Sequence, residues 1–218
     1  MKFKISVGLD LNYNCLLEKY FEIIDETKNL VYFYKINPAF FLNDREKIKN
    51  VANYIKFCKC KWIYDGKIGD VPHTNKMYTE YVYKYLESDG TTLNPYLGSD
   101  ALKCFFDYKN KLNFILCRTT NKGSELIQNK VYKNVYDIAN RNKVHLVIPS
   151  NKKGYIEDAT KNCPDSLILS PGIGKQGGKI KNISKEKIIY SISRSIINSN
   201  DPKKELEKYV NSQSFRKK

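Results

Sequence analysis

The 218-residue chain is poor in the residues from which metal centres and disulfide frameworks are built. It has two histidines, His73 and His145, and its six cysteines include no Cys-x-x-Cys pair. Imidazoles are too few and thiols wrongly spaced for a zinc site, so the cysteines read as reduced thiols and no metal is expected. Long apolar runs are also missing. Met1-Lys2-Phe3-Lys4 leads into an alternating stretch far shorter than a secretory or membrane-spanning segment, so the expectation is a cytoplasmic protein with no membrane partner. Arginine is scarce, with lysines outnumbering arginines 33 to 5 at a net charge of +15. Such a charge raises the question of nucleic acid. The lysines are spread along the whole chain, however, and no recognised nucleic-acid motif accompanies them, so they read as a solvated surface without a nucleic-acid partner. Linkers, internal repeats and low-complexity tracts are absent too, which predicts one domain over 1–218 with a fraying polar tail at 212–218.

Eight short apolar or β-branched runs recur at regular distance: Ile5 to Leu11, Leu30 to Ile36, Trp62 to Ile68, Thr91 to Leu93, Phe114 to Cys117, Val144 to Ile148, Leu167 to Leu169 and Ile188 to Ile192. Stretches of helical spacing lie between most of them, such as Ile48, Val51, Ala52 and Ile55 after the start signal Asn43-Asp44, and Tyr78, Tyr81, Val82 and Tyr85 after Thr74. Strands alternating with helices imply a parallel sheet. Eight such units in so short a chain favour a closed (β/α)8 TIM barrel over an open doubly wound sheet, which at this length carries five or six strands. The segment from Gly178 to Glu186 is too polar and lysine-rich for a good helix.

Function in a parallel barrel sits at the carboxyl ends of the strands, so the polar residues that close each run are the candidates. They are Asp10 and Asn12, Lys35 and Asn37, Asp65 and Lys67, Arg118, Thr119 and Thr120, and Arg194. A charge at the end of a buried strand is costly unless paired, and opposite charges gathered there mark a site. The densest segment runs Asp65-Gly66-Lys67-Ile68-Gly69-Asp70-Val71-Pro72-His73-Thr74. Residues two apart on a strand share a side, which sets the Asp65 carboxylate beside the Lys67 ammonium. Asp70 follows a glycine at the strand end, and Thr74 lies one helical turn beyond. A second segment, Ser170-Pro171-Gly172-Ile173-Gly174-Lys175-Gln176-Gly177-Gly178, follows the seventh run. Its glycines let backbone amides approach an anion, and loops after strands seven and eight are the usual phosphate seat of such barrels. Arg194 can add a bidentate clamp.

Taken in order, these segments resemble the orotidine 5′-phosphate decarboxylase family over nearly the whole chain. The matching stretches are Val7-Gly8-Leu9-Asp10, Tyr34-Lys35-Ile36-Asn37-Pro38, Asp65 to Thr74, Leu93-Asn94-Pro95-Tyr96-Leu97-Gly98, Arg118-Thr119-Thr120-Asn121-Lys122-Gly123-Ser124, the Pro171 to Gly178 loop and Ser193-Arg194-Ser195-Ile196. The Asn-Pro-Tyr-Leu-Gly and Arg-Thr-Thr-Asn segments look most like the branch that includes apicomplexan and some bacterial enzymes. The family commonly has glycine where this chain has Ser193 and a small residue in place of Lys175.

The resemblance implies a cofactor-independent decarboxylase that converts orotidine 5′-monophosphate to uridine 5′-monophosphate. It implies an alternating network of Lys35, Asp65, Lys67 and Asp70, with Lys67 as proton donor. It further implies a homodimer in which Asp70 and Thr74 cross the interface. By the same likeness Asp10, Lys35 and Thr74 would bind ribose hydroxyls, Thr120 and Gln176 the pyrimidine, and Gln176 and Arg194 the phosphate. Pro171 and Gly177 would lie in the phosphate loop, and Asn37 and Asn94 at the mouth. Whether the polypeptide is fused to or complexed with an orotate phosphoribosyltransferase is left open. A neighbouring reading with the same Asp-x-Lys-x-x-Asp core is a magnesium-dependent sugar-acid phosphate decarboxylase.

Overall fold

The computed structural model describes residues 4–174, 180 and 186–211. The strands are β1 (Lys4–Gly8), β2 (Phe33–Ile36), β3 (Trp62–Ile68), β4 (Gly90–Leu93), β5 (Leu112–Leu116), β6 (His145–Val147), β7 (Ile168–Ser170) and β8 (Ile188–Ile192). All pair in parallel and in chain order, and β8 returns to β1 from Lys4↔Ile189 to Val7↔Ile192, which closes the barrel. The helices outside it are α1 (Leu17–Thr27), α2 (Arg45–Phe57), α3 (Pro72–Thr79), α4 (Lys103–Phe106), α5 (Glu125–Asn142), α6 (Tyr155–Asn162), α7 (Arg194–Ile197) and α8 (Pro202–Val210). Among the described residues no helix is long and apolar enough to cross a membrane.

The apolar runs of the sequence are the eight strands. β4 to β7 shift by one or two residues at their ends, and two larger differences have a physical reason. β1 stops at Gly8, yet Leu9 and Leu11 stay buried beyond it, so apolar alternation outlasts the strand. β2 starts at Phe33, because Leu30 belongs to the turn that closes α1, its N–H donating to the Thr27 carbonyl at 2.9 Å. The start signal before α2 is real: Asp44 Oδ1 accepts from the Lys47 N–H at 3.0 Å and satisfies one of the otherwise unpaired first-turn donors. The helix expected after Thr74 begins earlier, at Pro72, whose fixed φ and missing N–H suit a first turn, and it widens into a π-helical segment at Glu80–Tyr85. The polar Gly178 to Glu186 segment lies mostly outside the described residues, as does the 212–218 tail.

Two apolar layers hold the barrel. Ile5, Val7, Tyr34, Ile36, Trp62 and Ile115 point outward beneath the helices, where Ile23, Ile48, Val51 and Ala139 meet them. Phe33, Ile63, Phe114, Val147, Leu169 and Ile189 fill the barrel interior. Strand side chains alternate faces, so this division decides which residues can reach the mouth.

Candidate active site

Phe33 and Ile63 face the interior, so Lys35 and Asp65, two residues further along β2 and β3, face the same way one layer higher. By the same alternation Gly8 follows inward-pointing Ser6 along β1, Asp10 lies two residues past its end, and Thr92 lies inward on β4. The two charges meet. Lys35 Nζ donates to Asp65 Oδ2 at 2.7 Å, and Lys67 Nζ donates to Asp65 Oδ1 at 2.9 Å. Lys35 and Asp65 are only 7% and 8% exposed, whereas the Lys67 side chain is 46% exposed and reaches toward solvent.

Burial works against both charges of the inner pair. For Asp65 the two ammonium groups outweigh it, Lys35 ahead of Lys67, and hold the carboxyl well below the usual carboxylate range. For Lys35 the burial penalty is overcome by the Asp65 charge and then by Asp10, which leaves the ammonium harder to deprotonate than a free lysine. The inner pair is therefore ionised at neutral pH, and the row it forms with Lys67 has one end open to the mouth.

The pairing of Asp65 with Lys67 does not come from simple strand alternation. Tyr64 pairs with Thr91 and Ile68 with Leu93, so Asp65, Gly66 and Lys67 together oppose the single residue Thr92. Lys67 has a left-handed φ of 48°, a conformation disfavoured for a residue with a side chain. Gly66 is required at the crest: a Cβ there would lie 2.3 Å from the Tyr64 ring. The bulge swings Lys67 over Asp65, and this is how the two share one side.

The other expected residues divide by place. Among the described residues Asp10 Oδ1 is buried with no hydrogen-bond partner, and its charge is felt by Lys35, which places it at the β1 side of the triad. Asn37 and Asn94 occupy equivalent positions after β2 and β4. Each caps a short helical turn through Oδ1, accepting at 3.1 Å from the Ala39 and Tyr96 N–H groups. Asp70 makes no ion pair among the described residues. Its Oδ1 accepts from the Val71 N–H at 2.7 Å, while its backbone is clamped by Asn75. Thr74, on α3, lines an outer groove of about 940 Å³ with Tyr64, Tyr78 and Tyr81 rather than the triad.

Across the mouth, a Cβ on Gly172 would sit 3.2 Å from Thr120 Cγ2 and 3.3 Å from Ser150 Oγ, so the loops after β5, β6 and β7 converge. Pro171 begins this loop, and Gly174 comes beside Ser195, next to the exposed Arg194 at the start of α7. Ser193 ties that end of β8 to β1, its Oγ donating to the Gly8 carbonyl at 2.8 Å. Lys175, Gln176 and Gly177 lie outside the described residues. Arg118, a strand-end candidate from the sequence, does not join the mouth. The chain turns there, with the Cys117 and Arg118 N–H groups both on the Val147 carbonyl at 3.2 Å, and the guanidinium is stacked between Tyr132 and Tyr155 at 4.0 and 3.9 Å and donates to Asn129. Thr92 was not singled out in the sequence, because a threonine in a strand is an ordinary β-former. Its hydroxyl donates to Asp65 Oδ1 at 2.8 Å.

A closed parallel (β/α)8 barrel with a lysine–aspartate–lysine row at the carboxyl end of its strands defines the class: a barrel enzyme scaffold whose mouth is built to handle charge. The family follows from comparison with known proteins. The model of the orotidine 5′-phosphate decarboxylase / HUMPS family matches residues 4–209, and the chain belongs to that family. It is 33% identical over 198 residues to orotidine 5′-phosphate decarboxylase of Roseiflexus castenholzii, covering 80% of this chain and 72% of that protein. Eight of the curated relatives that it matches are spanned over between 63% and 74% of their length. Among solved structures, orotidine 5′-monophosphate decarboxylase of Methanocaldococcus jannaschii complexed with the inhibitor BMP aligns at a TM-score of 0.86 and 26% identity, over 97% of this chain and 98% of that one. UMP synthase of Leishmania donovani aligns at 0.87 and 26% identity, over 96% of this chain but 53% of that one.

Proposed function

We propose that this chain, as one barrel domain over 1–218, removes the carboxylate of orotidine 5′-monophosphate to give uridine 5′-monophosphate, the last step of de novo pyrimidine synthesis, without a cofactor. The observation that carries the reading is the Lys67 ammonium, half-exposed at the mouth and pinned 2.9 Å from a carboxylate that buried Lys35 also holds. When carbon dioxide leaves, the bonding pair stays on the ring carbon in the ring plane, with no conjugated carbonyl to accept it as an enolate. A preorganised cation beside that carbon lowers the energy of the developing charge, and the same group then delivers a proton to it. Lys67 is left as a neutral amine and recovers its proton from water. Asp65, ionised and held from both sides, keeps Lys67 aimed.

Asp70 and Thr74 complete the site across a homodimer interface in this reading. Both sit just after β3, beside exposed Val71, Met77 and Tyr78; Asp70 bonds to the Val71 N–H and Thr74 lines the outer groove. Asp10, Lys35 and Thr74 take the ribose hydroxyls, with Asn37 and Asn94 shaping the mouth. Thr120 and Gln176 take the pyrimidine, and Pro171, Gln176, Gly177 and Arg194 the phosphate, whose binding energy is spent on organising the reacting end. The setting is the cytoplasm. Association with an orotate phosphoribosyltransferase is compatible with the likeness to the Leishmania donovani UMP synthase, of which this chain covers about half.

Chelator-treated protein incubated with orotidine 5′-monophosphate should convert it, followed by loss of ultraviolet absorbance, and Lys67→Ala should lower kcat on the order of 10³-fold or more. No conversion by the wild type, or full turnover by Lys67→Ala, overturns the proposal. The shared site has its own test: Lys67→Ala and Asp70→Ala dimers, each inactive, should recover about a quarter of wild-type activity after mixing and subunit exchange, because half the dimers become mixed and each mixed dimer carries one intact site.

A further inference from the structure

Between Tyr64 and Ile68 the β3 strand carries three residues against one on β4, and that one residue is Thr92. It is 1% exposed and its hydroxyl is fully committed. As a donor it gives its proton to Asp65 Oδ1 at 2.8 Å, and as an acceptor it takes the Lys67 backbone N–H at 3.0 Å. One small group thus fixes both partners of the ion pair, the carboxylate through its oxygen and the lysine through its main chain. We propose that Thr92 is a positioning residue of the decarboxylase site, holding the Asp65 carboxylate and the left-handed Lys67 backbone in the single arrangement that aims the ammonium.

The reasoning is stereochemical. A bulged, left-handed residue keeps its conformation only where surrounding bonds over-determine it. Gly66 makes the bulge sterically feasible, and the Lys67 N–H, displaced from the ladder, has the Thr92 hydroxyl as its acceptor. Without that hydroxyl the amide is left unpaired, and the adjoining peptide can rotate to find water. The Lys67 Cα then moves, and a long side chain carries the error to its tip. At the same time Asp65 Oδ1 keeps only the Lys67 ammonium and is free to follow it. Thr91, one residue earlier, offers the contrast. It is also buried, and its hydroxyl donates to the Tyr64 carbonyl at 2.8 Å, below the bulge and without contact to either charge.

This inference rests on the proposed reaction, and two readouts separate their failures. Thr92→Val removes the hydroxyl while keeping shape and branching. It should lower kcat about 10- to 100-fold with KM for orotidine 5′-monophosphate changed less than about threefold, and Thr92→Ser should restore most of the loss. Thr91→Val should lower Tm by a similar amount to Thr92→Val but leave kcat within about threefold. Hydrogen exchange of the Lys67 amide, followed by NMR, should quicken at least about tenfold in Thr92→Val and not in Thr92→Ser. Unchanged exchange in Thr92→Val overturns the bond. Faster exchange with unchanged kcat, or equal kcat losses in Thr91→Val and Thr92→Val, overturns the positioning role. An inactive wild type sinks the decarboxylase reading instead, and the exchange data still decide whether Thr92 holds the bulge.

Discussion

The two ends of the barrel are built from the same eight strands by opposite rules. The amino end is plugged by Phe33, Ile63, Phe114, Val147, Leu169 and Ile189, with His145 set against Phe114 and accepting from the Leu167 N–H at 3.3 Å. One layer higher the same inward positions on β2 and β3 carry Lys35 and Asp65, and β3 abandons its regular register. The lower end gains stability by excluding charge. The upper end keeps two buried ions and a left-handed lysine that an apolar core of the same shape would not need. Stability and function are thus separated along the barrel axis by about two residues of strand.

The contrast is broken most directly at Lys35. Replacing it with alanine leaves the buried Asp65 carboxylate with half-exposed Lys67 as the cation bonded to it, and should cost about 3 kcal/mol in chemical denaturation as well as activity. Gly66→Ala drives a methyl into the Tyr64 ring and should cost about 1–3 kcal/mol, whereas Gly123→Ala, with nothing within 4 Å of the new Cβ, should change the denaturation midpoint little. The smallest effect is one of pH. Burial pushes His145 down to about 4 from 6.5, so its contribution is present above pH 6.5 and is lost as pH falls from there through about 4. Asp65, also depressed, contributes above its unfolded value of 3.8 and loses that contribution only on further acidification. Melting temperature should therefore fall in two stages. His145→Gln should remove the upper stage and Lys35→Ala should blunt the lower, and a single stage unaffected by either variant would erase the distinction between the ends.

The strands were legible because β-branched runs at even spacing are what a buried parallel sheet demands, and the runs ending in Lys35 and Asp65 announced their charges. What escaped was irregular. The bulge at Gly66 reads in the sequence as an ordinary strand, since nothing in Asp-Gly-Lys states that three residues face one. Thr92 looks like any strand threonine until its neighbour's register slips. Arg118 has the parity of a mouth residue, but two tyrosines from α5 and α6 offer its guanidinium a stacked seat that local spacing cannot reveal. Asp70 shares a motif with Lys67 and yet bonds to its own next residue, because the turn into α3 intervenes.

The pairing of β1 with β8 joins residues some 185 positions apart, Lys4 with Ile189. Until β8 is made the ring cannot close, and Lys35 and Asp65, which precede it in the chain, belong to a sheet whose β1 edge is unpaired. β8 ends at Ile192, 127 residues beyond Asp65, so at ribosomal speeds of about 5–20 residues per second that wait lasts about 6–25 s, and long-range closure adds to it. The charged row is thus made before the strand that closes the barrel around it, and becomes an oriented pocket only once β8 is in place. Late-made β8 is therefore as necessary to its chemistry as the residues that carry it.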